Sequence, residues 1–186
     1  ASGKGSNFQA IILDIINGRL DAEIKCLIVN NPNCGAIKIA KQYSIPIEIV
    51  DHKNHNDRES LDREIINILG EYNIEAIVMA GWMRIVTSKL LNNYPGRVVN
   101  LHPSLLPSFK GNKAIKQAIE SKVKITGCSV HIVKEEVDSG EILIQAAIEV
   151  NQEDNESTLQ ARIQEQEHKI ISTGIALAAI KWRGGK

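Results

Sequence analysis

Only three cysteines, Cys26, Cys34 and Cys128, occur in this sequence of 186 residues, and no two of them stand in a CxxC spacing. An odd, scattered set argues against a disulfide framework and against zinc; the cytoplasm is the expected compartment and no metal is expected. Net charge is lacking as well, since Lys plus Arg and Asp plus Glu both number 22. A neutral chain presents no global field to nucleic acid or to an anionic membrane, so neither is expected as a partner, and any bound anion must be held by a local device. No apolar run approaches the ~18 residues of a membrane span, and no segment reads as a signal peptide. Repeats, low-complexity tracts and linkers are also absent, so residues 1–186 are expected to form a single domain.

Hydrophobic residues make up 43% of the sequence, enough to build a core. The chain opens on a glycine-rich turn, Ala1-Ser2-Gly3-Lys4-Gly5-Ser6-Asn7, and Phe8, Ile11, Ile12, Ile15 and Ile16 then recur at helical spacing up to Gly18. Strands are predicted at 25–29, 47–50, 76–80 and 98–102, and helices at 36–43, through Leu61 to Leu69, at 88–92 and at 114–120. Pro103 stops the strand that ends at His102. Beyond this point the pattern changes to two successive strands, 128–133 and 141–150, and one long helix over 156–182. Alternating strands and helices predict an α/β fold with a doubly wound, mostly parallel sheet flanked by helices, and the late pair adds antiparallel strands. A glycine turn that opens a helix is expected to follow a buried strand, and the sequence given starts on the turn itself, so the first strand of the sheet is expected to be missing from it.

Three local patterns suggest chemistry. Gly3, Gly5, Ser6 and Asn7 would let a phosphate approach the backbone at a helix N-terminus, although a plain turn capped by Ser6 or Asn7 would use the same residues. No Walker Lys-Ser/Thr pair closes this turn, and the three-glycine dinucleotide fingerprint is incomplete. In Asn100-Leu101-His102-Pro103-Ser104-Leu105-Leu106-Pro107, Asn100 and His102 are two apart on a strand and so share a face. An amide beside an imidazole suits the oxyanion of acyl transfer; two satisfied polar residues at a strand end would look the same. In Val137-Asp138-Ser139-Gly140, Asp138 is either a turn-former or a partner for the imidazole. No G-x-S-x-G or comparable nucleophile context occurs, which favours direct transfer to an amine over a covalent acyl-enzyme.

Gly5-Ser6-Asn7, Ala80-Gly81-Trp82-Met83-Arg84-Ile85, the run from Asn100 to Pro107, Val137-Asp138-Ser139-Gly140 and Gln166-Glu167-His168-Lys169 follow one another in this order. Together they resemble the phosphoribosylglycinamide formyltransferases, a branch of the 10-formyltetrahydrofolate-using superfamily, over nearly the whole chain. The resemblance implies an enzyme that passes the formyl group of 10-formyltetrahydrofolate to the amine of glycinamide ribonucleotide. It assigns catalysis to Asn100, His102 and Asp138, and nucleotide binding to Gly5, Ser6, Asn7, Gln164 and Glu167. Folate contacts fall to Arg58, Met83, Arg84, Ile85, Val86 and Val137, with Met79, Leu91 and Val98 as further candidates for an apolar wall, and His131 matches a histidine near the active site. For Arg58 an exposed helix arginine, for Gln164 and Glu167 a solvated helix face, for His131 an ordinary half-buried strand histidine, and for the apolar residues core packing remain open. The stretch Ala114-Ile115-Lys116-Gln117-Ala118 lacks a histidine that family members often carry, so no role is assigned there. A deformylase of the same superfamily and a non-catalytic nucleotide- or folate-binding module are the alternatives. A monomer or a homodimer is expected.

Overall fold

The structure, a computed structural model, describes residues 1–184. It divides into two compact units, residues 1–98 and the described residues from 99 onward, with the boundary inside one strand.

The first unit holds α1 (Ser6–Ile16), β1 (Leu27–Val29), α2 (Ala36–Gln42), β2 (Ile47–Ile49), α3 (Arg58–Glu71), β3 (Ile77–Met79) and α4 (Ser88–Asn93). β1 and β2 pair in parallel, Leu27 opposite Ile47 and Val29 opposite Ile49. Parallel neighbours need a crossover, and α2 supplies it. α3 starts with a capping box in which the Asp57 carboxylate accepts from the Ser60 N–H at 2.7 Å and the Ser60 hydroxyl accepts from the Asp57 N–H. Its Leu61, Ile65 and Leu69, four apart, are all buried and share one face with Asp62 beside them.

Gly5, not Ser6 or Asn7, occupies the cap position of α1, with φ at +85°. A β-carbon there would lie 2.7 Å from the Ala36 Cα, so only glycine allows the turn to touch the start of α2. The contact is reciprocal, because the Ala36 N–H donates to the Gly3 carbonyl.

The second unit takes up β4 (Val98–His102) from Val99 onward and adds α5 (Ala114–Glu120), β5 (Ile125–Ile132), β6 (Ile142–Glu149) and α6 (Glu156–Gly184). β4 with β5 and β5 with β6 are antiparallel. The parallel part of the expected sheet therefore lies in the first unit and the antiparallel part in the second. β5 begins three residues before the predicted Cys128 because its ladder with β6 continues to Ile125 opposite Glu149. From Thr126 onward every β5 residue is buried, whereas β6 has no buried residue. That contrast is the signature of a strand flanked on both sides and covered, next to one nearer the edge.

α6 is capped by Asn155, whose side-chain oxygen accepts from the N–H groups of Ser157 and Thr158 at 2.9 and 3.1 Å. Leu159, Ile163, Glu167, Ile170, Ile171, Ser172, Gly174, Ile175 and Ala178 form its buried stripe. The stripe carries one acid, Glu167, among mostly apolar neighbours. A β-carbon at Gly174 would run into the branched side chain of Val130, so this glycine sets how closely α6 lies on β5. Among the described residues no helix is long and apolar enough to cross a membrane.

Gly174→Ala is expected to lower stability by about 1–3 kcal/mol, because a stiff valine must yield to the added methyl. The thermal unfolding midpoint should fall by several degrees, and an unchanged midpoint would show that α6 can move off β5 at no cost.

Candidate active site

β4 places Asn100 opposite His131 and His102 opposite Ser129. The two-residue period puts Asn100 and His102 on one face, as the sequence suggested. His102 and His131 are 6% and 1% exposed, so both rings must find partners inside the protein.

Those partners converge on Asp138. Its Oδ2 lies 3.3 Å from His102 Nδ1 and its Oδ1 lies 3.5 Å from His131 Nε2. The Gly111 N–H donates to Oδ2 at 2.8 Å. Asp138 has φ +51°, a left-handed conformation that aspartate tolerates in turns, and this aims the side chain inward. Burial pushes its carboxyl up, but the bonds from His131 and Gly111 and the charge of His102 outweigh it and hold the group below the ordinary aspartate range.

Hydrogen-bond logic assigns the remaining atoms. His131 Nδ1 faces the Ile132 carbonyl at 3.0 Å, and its Nε2 faces both the Asn100 amide at 3.2 Å and the Asp138 carboxylate, so at most one proton of that amide is engaged there. That leaves Asn100 a second amide proton to donate elsewhere. His102 Nε2 donates to the Phe109 carbonyl at 2.8 Å, so both ring nitrogens face oxygen acceptors and a ring with a proton on each satisfies both.

The loop that supplies the Phe109 carbonyl is itself held by side chains. Ser104 Oγ donates to the Ser108 carbonyl, and the wholly buried Ser129 hydroxyl donates to the Ser104 carbonyl, both at 2.6 Å. Ser129 Oγ in turn accepts from the Leu106 N–H at 3.0 Å and from Gln145 Nε2 at 2.8 Å. Ser104, Ser129 and Gln145 were not singled out in the sequence. The only available signal was that Ser129 and His131 alternate on one strand.

Two of the three cysteines hold their thiols protonated. Burial, then the charge of Glu167, push the Cys128 thiol up to about 12, and burial, then Glu48, push Cys26 up to about 11.

The other expected residues are distributed as follows. In the second unit Gln164 and Glu167, three apart on α6, share a face; Glu167 is buried and Gln164 half-buried. Val137, beside Asp138, is exposed. In the first unit Gly5, Ser6 and Asn7 head α1, whose first turn carries no acidic residue to oppose an anion. Arg58 is the first residue of α3 and is exposed. Met83, Arg84 and Ile85 are exposed, and Arg84 donates to Nε2 of His52. Val86, by contrast, is buried and lines, with Met79 and Val98, an apolar cavity of about 200 Å³ within this unit.

An amide, two imidazoles and a carboxylate are thus gathered around β4, β5 and the turn that carries Asp138. Residues 1–175 match the family described as formyl transferase. Phosphoribosylglycinamide formyltransferase of Bacillus subtilis is 38% identical over 169 residues, covering 91% of this chain and 87% of that protein. The trifunctional purine biosynthetic protein adenosine-3 of Homo sapiens is 39% identical over 178 residues, 96% of this chain, and the chain spans 18% of that longer protein. The crystal structure of phosphoribosylglycinamide formyltransferase from Bacillus halodurans matches with a TM-score of 0.91 at 39% identity, covering 97% and 92% of the two chains. Within the formyl transferase class, the chain belongs to the phosphoribosylglycinamide formyltransferase family.

Because the Asp138 carboxyl is held low, its bonds add stability that is fully present above the unfolded-state value of about 4 and is lost as pH falls through the folded-state value. Asp138→Asn should therefore be less stable than the native chain at neutral pH, and the gap should close on acidification. Thermal melts of both proteins between neutral pH and pH ~3 would check this, and a constant gap would contradict it.

Proposed function

We propose that the chain transfers the formyl group of 10-formyltetrahydrofolate to the amino group of glycinamide ribonucleotide, a step of purine synthesis. The observation that carries this reading is the cluster in which Asp138 faces both His102 and His131 while Asn100 keeps an amide proton to spare.

In the proposed reaction the nucleotide's amine attacks the formyl carbon and the carbonyl π electrons move onto its oxygen. The Asn100 amide donates a hydrogen bond to that oxyanion, and the protonated His102 ring, both of whose N–H groups face protein oxygens, stabilises it by its charge. Asp138 orients His102 through the contact at its Nδ1. The proton released by the amine passes, through water, to N10 of the folate. The bond between the formyl carbon and N10 then breaks, the oxyanion re-forms the carbonyl, and tetrahydrofolate leaves. Bringing two substrates together supplies much of the acceleration.

Substrate contacts follow the family resemblance. The turn at Gly5, Ser6 and Asn7 would take the phosphate on the head of α1, where the positive end of the helix dipole compensates for a neutral chain. Gln164 and Glu167 would meet the ribose and the glycinamide portion, and a carboxylate set in an apolar stripe suits a charged amine there. Arg58, Met83, Arg84, Ile85, Val86 and Val137 are assigned to the folate; for the buried Val86 the contact would be through backbone. A deformylase would use the same donor set with water as the acceptor, and a binding module would not need it.

The test is a spectrophotometric transfer assay with 10-formyltetrahydrofolate or a 10-formyl deazafolate. Deformylated folate should form only when glycinamide ribonucleotide is present; formation without it would identify a deformylase instead. His102→Ala should lower kcat by about 10²–10⁴-fold while the nucleotide still binds, and near-native turnover in that variant would refute the role given to His102.

A further inference from the structure

Residues 83–87 of the first unit combine two features that ordinarily exclude each other. Met83 and Ile85 hold large apolar side chains in solvent, 71% and 45% exposed. Two such side chains one residue apart give the segment an apolar face to offer a ligand. Yet the segment is anchored along its length by polar bonds. The Met83 N–H donates to Ser2 Oγ at 3.0 Å, and Arg84 donates to His52, whose other ring nitrogen faces the Asn30 carbonyl. At the far end the Thr87 N–H and hydroxyl both donate to one carboxylate oxygen of Asp62, at 2.6 and 2.7 Å.

Asp62 is 1% exposed, and a carboxylate so placed carries a large desolvation cost. Burial pushes its carboxyl above the ordinary range, and the Thr87 bonds offset only part of that. Helix capping does not account for the arrangement. Thr87 is the cap residue of α4, but its side chain makes no capping bond, because its hydroxyl is given to Asp62. Asp62 sits one turn after Arg58 on α3. The single carboxylate thus ties the end of the 83–86 segment to the helix that begins with Arg58.

We infer that Asp62 is a positioning residue for the folate, holding the 83–86 segment at a fixed spacing from Arg58 so that both can meet one ligand. This rests on the reading of Arg58 and residues 83–86 as folate contacts. The role is specific to one substrate, since the nucleotide is assigned to other elements. A change at Asp62 therefore separates the two Michaelis constants, which general destabilisation would not do. Because one oxygen accepts both Thr87 bonds, asparagine can keep them and leucine cannot.

Steady-state kinetics on the full chain decide the matter. Asp62→Leu should raise KM for the formyl folate about tenfold, leave KM for glycinamide ribonucleotide within about twofold, and Asp62→Asn should restore most of the loss. An unchanged folate KM, parallel rises in both constants, or an Asp62→Asn variant as impaired as Asp62→Leu would each overturn the inference. Should Asp62→Leu fail to fold, Thr87→Val, which deletes only the hydroxyl bond, carries the same test, and a native folate KM in that variant overturns the inference. Ile85→Asp is the control for the underlying reading. If it leaves the folate KM unchanged, the assignment of this segment to folate is wrong; if it raises the folate KM while Asp62→Leu does not, only the role of Asp62 is wrong.

Discussion

Asp138 stands in left-handed backbone in the turn between two strands, and its carboxylate meets a peptide N–H and two histidine rings at once. Much of the second unit's chemistry follows from this placement. A carboxylate with three donors stays ionised in a buried setting where a lone one would take up a proton. Its charge in turn gives both rings a reason to lie where they do. The strand geometry does the rest, since β4 presents Asn100 and His102 on one face and the antiparallel register sets His131 opposite Asn100. Neither ladder nor turn would suffice alone: the ladder aligns the rings, and the turn provides the charge that orients them.

The first unit solves a different problem with different means. In the proposed reading a phosphate meets a chain of no net charge, and the dipole of a helix would stand in for side-chain charge. Gly5 makes that possible, because a side chain there would drive α1 away from α2. At 83–87 the constraint is reversed: apolar side chains are kept out of the core and the backbone is fastened by Ser2, His52 and Asp62. The buried carboxylate of Asp62 is tolerated because Thr87 offers two donors to one oxygen.

Much of the cluster around Asp138 was legible in the sequence, for a definite reason. Asn100 and His102 are related by the period of a single strand, a local property that needs no tertiary information. Glu156 was correctly read as the start of the long last helix because periodicity and capping are also local. Gly5 was recognised as part of the turn, but its role as cap residue was not, since that depends on a distant contact with Ala36. Ser129 and Gln145 were missed because serines and glutamines in strands usually face water or neighbouring backbone, and nothing local reports that a loop over 104–108 will cover them. Asp62 was missed for a related reason: an acid on a helix face reads as solvated until its partner, twenty-five residues away, is known.

The sequence by itself determined the order and type of the elements, the shared face of Asn100 and His102, and the lack of a cysteine or serine nucleophile context, because each depends on residue type and short-range period. Only the tertiary structure decided that Asp138 would meet two histidines, that Phe109 would supply the acceptor for His102, and that Asp62 would hold Thr87. These are contacts between residues far apart in the chain, and their existence depends on how sheets, turns and helices pack, a property that no local pattern of side chains encodes.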